Sequence, residues 1–162
     1  GLRVPRMEAA ARASLTGVSM ATTQAEVAYA ILEGIAHSVA SCIEADEAVS
    51  GVRVCELVVG GGLYGSDALL QIQADLIGIP IRRMQEADRA SLRGAAFLAG
   101  SSGLLWDSLE EARKTTVTDA VFQPLLDEAE RVRRRGLWHS RVASELEHAG
   151  QFKQDKEEVL EK

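Results

Sequence analysis

The sequence predicts an alternating α/β fold, and three observations carry that prediction. A capped, apolar-striped helix is followed by a β-branched run that ends in glycines. Behind the glycines comes a second helical pattern, and a second short β-branched run follows it. The resulting order is helix, strand, helix, strand, helix, helix, which favours parallel strands joined by right-handed crossovers. Two or three strands make a thin sheet, so the fold reads as part of a larger structure.

The first helix is expected from about Thr23 to Glu47. Thr23 and Glu26 form a T-x-x-E capping box, and Val27, Ile31, Ile35, Val39 and Cys42 or Ile43 recur at helical spacing. Before it, "RASLTGVS" (12–19) reads as a strand or extended segment ended by Gly17. "VRVCELVVG" (52–60) is β-branched and ends in glycine, the signature of a buried strand. The spacing of Leu69, Ile72 and Leu76 predicts a helix over 66–77, and "IPIRRM" (79–84) a second strand. "SLRGAAFLAGSSGLLW" (91–106) is a helix lined with small residues, where another backbone can approach closely. A short helix over 108–113, a loop ending at Pro124 and a long charged helix over 125–148 complete the order. Residues 149–162 are mostly charged and are expected to fray or project as a tail.

Composition narrows the function classes. The 162 residues suit one domain with a proper core, 46% of them apolar and 26% charged. Aromatics are scarce, at two Trp, two Tyr and three Phe, so the core is aliphatic and alanine-rich. A net charge of −6 argues against a general nucleic-acid binder. Cys42 and Cys55 form no C-x-x-C pair, which suits free thiols in a reducing, cytoplasmic setting. No segment is expected to approach the eighteen or more apolar residues of a membrane span, and no signal-peptide pattern opens the chain, so no membrane partner is expected. The opening "GLRVPRME" lacks an initiator methionine, as though cut from something longer.

The strongest local signal is "VVGGGLYGSDALLQIQADLIG" (58–78). Gly60, Gly62 and Gly65 fit G-x-G-x-x-G, and Glu86 stands about twenty residues on, where a dinucleotide fold carries its acidic ribose ligand. More generally, a strand running into glycines and then a helix turns backbone N–H groups and the helix dipole toward a ligand. A permissive strand-to-helix turn is the bland alternative, and Ser66 suits either a cap or a ligand donor. No G-x-x-x-x-G-K-[ST] P-loop occurs. His37, His139 and His148 are dispersed over two helices and read as structural. Asp67, Asp75, Glu86 and Asp88 are the carboxylates within reach of a Mg²⁺ role, although isolated carboxylates near helices are usually caps or solvated charges. "RVRRRG" (131–136) follows Glu128 and Glu130 and reads as a solvated helix face, and Trp106 and Trp138 as anchors of the C-terminal helices.

These residues together resemble the FGGY family of carbohydrate kinases. "ASLTGVSMATTQAEVAYAILE" (13–33) fits the family's second signature throughout, from Ala13 and Leu15 to Ala30-Ile31-Leu32-Glu33. Residues 58–81 are similar to the family's adenosine loop and following helix, and "LRGAAFLAG" (92–100) to its next segment. "GLLWDSLEEA", "FQP" and "LWHSRVASEL" are most similar to the glycerol-kinase branch, so the likeness spans residues 1–147.

The resemblance implies two actin-like (ribonuclease-H-like) ATPase domains around a cleft, each with a sheet flanked by helices. The N-terminal domain would bind the sugar or polyol and the C-terminal one ATP, with Mg²⁺. Residues 1–148 would then be part of the nucleotide-side domain. ATP would lie against the cluster Gly60, Gly61 and Gly62, with its adenosine and α-phosphate at Gly61 and Gly62. Ser66 would stand at the adenine-side polar position and Asp67 next to it. The family's catalytic aspartate and phosphate loops lie upstream, so no catalytic residue is expected in this chain. The substrate half is expected to be missing too. Glu8 is the nearest acidic residue in a stretch where many relatives carry an aromatic, Asp-containing one, which leaves the substrate open. Homo-oligomer formation stays open as well. Two rival readings stand beside this one. The first is an assembly or nucleotide-sensing fragment using helix 125–148 and the tail, and the second an NAD module in which Glu86 or Asp88 meets a ribose.

Overall fold

The computed structural model describes residues 2, 4–101 and 105–160, with side chains as far as residue 151. It divides into two compact units, Gly1–Val52 with Leu126–Lys162, and Arg53–Leu125.

The unit Arg53–Leu125 holds the sheet. Its elements are β1 (Leu57–Val59), α2 (Asp67–Ile77), β2 (Ile81–Met84), a single 3-10 turn (Ala87–Arg89), α3 (Ala90–Gly100), α4 (Leu109–Lys114) and β3 (Thr118–Phe122). The sheet order is β1-β2-β3. β1 and β2 run parallel, with Leu57 opposite Ile81 and Val59 opposite Arg83. β3 lies antiparallel to β2, with Phe122 opposite Ile81 and Ala120 opposite Arg83. One face of the sheet builds a core in which Leu70 and Ala74 of α2 meet Ile81. Leu57, Val59, Ile77 and Phe122 pack around them. Ile81 is fully buried, and burial of a side chain of that size contributes roughly 1.5–3 kcal/mol. α2 stops at Gly78, whose φ of 79° only glycine adopts at little cost and whose N–H reaches the Ala74 carbonyl at 2.8 Å. Pro80 then leads directly into β2.

In the other unit, α1 spans Gln24–Ser50 and α5 spans Glu128–Leu160. The expected capping box is present: the Glu26 N–H donates to Thr23 Oγ1 at 3.3 Å, and the Thr23 N–H to Glu26 Oε2 at 2.8 Å. Gly51, at φ 69°, caps the other end. α5 is capped by Asp127, whose Oδ1 accepts from the Glu130 N–H at 2.8 Å.

Several expectations are corrected. The sheet is mixed, not all-parallel, because 118–122 forms β3 where a loop was expected. Of the two readings of residues 12–19, the strand is not formed: the segment pairs with no sheet, breaks at Gly17 (φ 78°) and is followed by a Ser19–Thr22 turn. Only Leu57–Val59 of the predicted 52–60 strand pairs, since β2 offers three partners there. α3 ends at Gly100, and residues 102–104 of the helix predicted over 91–106 lie outside the described residues. α5 continues past His148 to Leu160, with Gly150 inside it. On α1 the most buried positions are Ala36, His37 and Ala40, and Ile31 of the expected stripe is 59% exposed. By length and composition α1 also meets the measure for a membrane span, with mean hydropathy 1.2 over its best 18 residues. Reading along the sequence overlooks this, because Glu33, Gly34, His37 and Ser38 interrupt the apolar residues while the average over the window is carried by the aliphatics and alanines.

Candidate functional site

The glycine loop leaves β1 and enters α2, and the structure gives its three glycines three different reasons. A Cβ on Gly60 would lie 2.9 Å from the Ala90 Cβ and 3.0 Å from the Ala87 carbonyl oxygen, so the start of α3 excludes a side chain there. Gly61 adopts φ 113°, a backbone conformation that L side chains rarely reach, and its N–H donates to the Ala87 carbonyl at 3.0 Å. Gly62, like Gly61 and Gly65, has no described atom within 4 Å of where its Cβ would be, but unlike Gly61 it has no positive φ to require glycine. Among the described residues nothing forbids a side chain at Gly62, and open space borders the backbone where the loop turns toward the helix.

Ser66 is the N-cap of α2. Its Oγ accepts from the Leu69 N–H at 3.3 Å, and its carbonyl from the Leu70 N–H at 3.1 Å. The capping bond uses an oxygen lone pair and not the hydroxyl hydrogen. Asp67 opens the helix with an exposed carboxylate, and Arg83 of β2 holds it: Nη1 to Oδ1 is 2.6 Å. The same guanidinium donates to the Tyr64 carbonyl at 3.2 Å and through Nε to Asp119 Oδ2 at 2.6 Å. These hydrogen bonds, to Asp67 first and Asp119 second, push the arginine further above its ordinary range. Sequence reasoning missed Arg83 and Asp119. One signal was available: Arg83 lies two residues after Ile81, and the period of a strand puts both on the face that meets α2.

The other candidates have structural roles. Asp75 Oδ1 accepts from the Leu125 N–H at 2.7 Å and from Gln71 Nε2 at 3.0 Å, tying α2 to the chain beyond β3. Glu86 sits at φ 50° in the turn before Ala87, and Asp88 lies 3.9 Å from its neighbour Arg89. Among the described residues no group of three or more His, Cys, Asp or Glu side chains is placed to hold a metal ion. Cys42 and Cys55 are free thiols.

None of the three histidines belongs to the glycine-loop unit. His37 stacks on Trp138 with centroids 5.0 Å apart, and its Nδ1 lies 2.9 Å from Nη1 of Arg135. Burial first, then the positive charge of Arg135, holds the imidazole down to about 4. Arg135 is itself buried, in a bidentate pair with Glu44 at 2.7 and 2.9 Å, which corrects the reading of 131–136 as a wholly solvated face. Arg133, paired with Glu130 at 2.7 Å, does fit that reading, whereas Arg134 is half-buried and reaches Glu33 of α1 at 3.2 Å as well as Glu130. A cavity of about 750 Å³ opens beside this cluster, among Val4, Arg6, Ser38, Ser41 and Trp138, and no residue of the glycine loop lines it.

A family model described as the FGGY family of carbohydrate kinases, C-terminal domain, matches residues 1–103. The chain belongs to this family. The glycerol kinase of Deinococcus radiodurans is 36% identical over 143 residues, which are 88% of this chain and 28% of that protein. That of Rhodopirellula baltica is 38% identical over 152 residues, 94% of this chain and 27% of its own. Among solved structures, Plasmodium falciparum glycerol kinase with ADP superposes with a TM-score of 0.79. Its identity is 30%, and the match covers 90% of this chain and 29% of that one. A ligand-bound xylulose kinase from Lactobacillus acidophilus gives 0.75 at 25% identity, over 93% and 30% of the two chains.

This FGGY chain is thus glycerol kinase-like and spans under a third of the length of the relatives it matches. Its mixed sheet with flanking helices is that of the FGGY kinases, which have the actin-like ATPase fold. The β1–α2–β2 unit alone would also suit a dinucleotide loop. Family membership decides against that reading, and the G-x-G-x-x-G spacing is a coincidence of glycine positions.

Proposed function

We propose that this FGGY segment is the nucleotide-side part of an ATP-dependent polyol or sugar kinase of the glycerol-kinase type. The observation that carries the reading is the open backbone at Gly62, beside the forced turn at Gly61 and the capped N-terminus of α2. Glycine at Gly62 answers no packing demand among the described residues, whereas a nucleotide sugar or phosphate approaching the backbone needs that space. ATP would supply the transferable phosphoryl group. Gly61 and Gly62 would bring backbone N–H groups to it, the dipole of α2 would favour its negative charge, and the Ser66 hydroxyl would donate on the adenine side. A glycerol kinase of the same fold solved with ADP supports the assignment of ligand class.

In this reading Mg²⁺ arrives on the nucleotide's phosphates, because the described residues offer it no cluster of their own. The acceptor hydroxyl is the polyol's own, the catalytic carboxylate and the polyol-binding domain belong to polypeptide outside these residues, and the parent enzyme works in the cytoplasm. Amide chemical-shift mapping with ADP at about millimolar concentration tests the assignment. Gly61, Gly62 and Ser66 are expected to respond first; no response at these three residues removes it. A second assay, glycerol, xylulose or gluconate phosphorylation by the chain alone, is expected to give none. Turnover there would overturn the division of labour.

A further inference from the structure

We propose that Arg83 is the positioning residue of the nucleotide loop, acting through Tyr64 and Asp67 without touching the nucleotide. The proposal rests on the nucleotide reading above and names what holds that site in shape. One guanidinium, with its side chain 14% exposed, joins three parts of the unit. Nη1 takes the Tyr64 carbonyl at 3.2 Å, inside the loop, and Asp67 Oδ1 at 2.6 Å, in the first turn of α2. Nε takes Asp119 Oδ2 at 2.6 Å, on β3, and the Phe122 ring lies 5.6 Å beneath the guanidinium carbon. Register explains why Asp119 is available. Arg83 pairs with Ala120 and Met84 with Thr118, so Asp119 has no residue opposite it and forms a bulge, the device that re-aims a strand side chain.

Two consequences follow for a phosphate-bearing ligand. First, the loop has few internal ties of its own: Tyr64 N–H to Gly61 carbonyl at 3.2 Å and Ser66 N–H to Leu63 carbonyl at 3.1 Å. The bond from Arg83 to the Tyr64 carbonyl fixes it to the sheet. Second, an unpaired Asp67 carboxylate would compete with phosphate for the positive end of α2. Arg83 holds that carboxylate and offsets its charge. Lysine cannot replace it, because a single ammonium lacks the planar fork that spans Asp67 and Asp119 together.

The test uses the whole 162-residue chain, with amide hydrogen exchange measured without nucleotide and ADP then titrated by chemical shift. In Arg83→Lys and in Asp119→Asn, the Gly61, Tyr64 and Ser66 amides should exchange about tenfold faster than in the wild type, with Leu70 and Ala74 unchanged. The ADP midpoint should rise by a similar factor, about tenfold, in both variants. Asp119→Asn removes the charge that clamps the guanidinium from β3, so the bonds to Tyr64 and Asp67 weaken while Arg83 itself remains, which keeps the test valid if Arg83→Lys does not fold. Loop exchange within about twofold of wild type in Asp119→Asn, with only the melting temperature lowered, makes Arg83 a purely structural residue and overturns the proposal. A wild-type loop that ignores ADP, whatever the variants do, overturns the nucleotide reading instead and the proposal with it.

Discussion

Arg135 Nη1 lies 2.9 Å from His37 Nδ1, and the direction of that hydrogen bond decides the charge on the histidine. A guanidinium has only donors, so Nδ1 must accept, and an imidazole that accepts at Nδ1 is neutral. Burial and the charge of Arg135 act the same way, lowering His37 from 6.5 to about 4. The unfolded chain therefore binds a proton that the folded chain refuses between those two values. Stability from this group is complete above about pH 6.5 and is lost as pH falls toward 4. The loss should be about 1–2 kcal/mol after allowance for solvent at the open side of the ring. His37→Asn keeps an acceptor for Arg135 and removes the titration. Urea unfolding from pH 7 to 4 should show the decline in wild type and a flatter profile in the variant. Glu130, held at about 2 by Arg133 and Arg134, contributes in full above its ordinary 4.5 and loses that stability only as pH falls from there toward 2, so most of the His37 decline precedes it.

The three loop glycines should respond differently to alanine. Gly60→Ala forces a shift against Ala90 and Ala87, and overpacking of this kind costs about 1–3 kcal/mol. Gly61→Ala carries backbone strain at φ 113°, also about 1–3 kcal/mol. Gly62→Ala meets open space, so its denaturation midpoint should stay within about 0.5 kcal/mol of wild type, while the ADP shift response falls. Equal stability losses at all three positions would show that Gly62 is also a packing residue.

The legible parts of the fold were those written in short-range signals. The Thr23–Glu26 box announced α1, and "VVGGG" running into "SDALLQIQADLIG" announced β1, the loop and α2. β3 was not legible because its bulge at Asp119 breaks the alternation that marks a strand. The end of α5 was misplaced because the charged stretch 149–162 reads as a frayed tail, although charge does not end a helix and the interior Gly150 costs it only about 1 kcal/mol. In the site, Gly61 and Gly62 stood out by composition. Arg83 and Asp119 are 36 residues apart and meet only through strand pairing, so nothing local ties them together.

The core of the sheet unit offers a further check. Ile81 is 0% exposed and sits among Leu70, Ala74, Leu57 and Phe122. Ile81→Ala removes buried methylenes at the meeting point of all three strands and α2, and should cost about 2–5 kcal/mol. Ile81→Val, which keeps the branched shape a strand favours, should cost about 0.5–1.5 kcal/mol. Guanidinium denaturation of the two variants would measure the ratio. A similar small loss in both would mean that the site collapses around the deletion.

Gly100 and Trp106 make the most demanding contact in the same unit. A Cβ at Gly100 would lie 2.5 Å from Trp106 Cζ3 and 2.7 Å from Cε3, closer than real Cβ atoms come. The indole also meets Phe97 edge to face, with centroids 5.5 Å apart, so it cannot retreat without giving up that contact. Gly100 therefore serves an aromatic ring at this end of α3, where composition suggested a neighbouring backbone, while Gly94 has no described atom within 4 Å of its Cβ position. Gly100→Ala would gain about 1 kcal/mol of helix propensity if the position were open. With the ring in place it should instead lose about 1–3 kcal/mol. The sign of the stability change thus decides the matter, and Trp106 fluorescence should shift with it as the ring moves toward solvent. The double variant Gly100→Ala with Trp106→Leu should recover part of the single-variant loss, because the ring that meets the new methyl is gone. A Gly100→Ala chain more stable than wild type would show that Trp106 does not lie over α3 in solution.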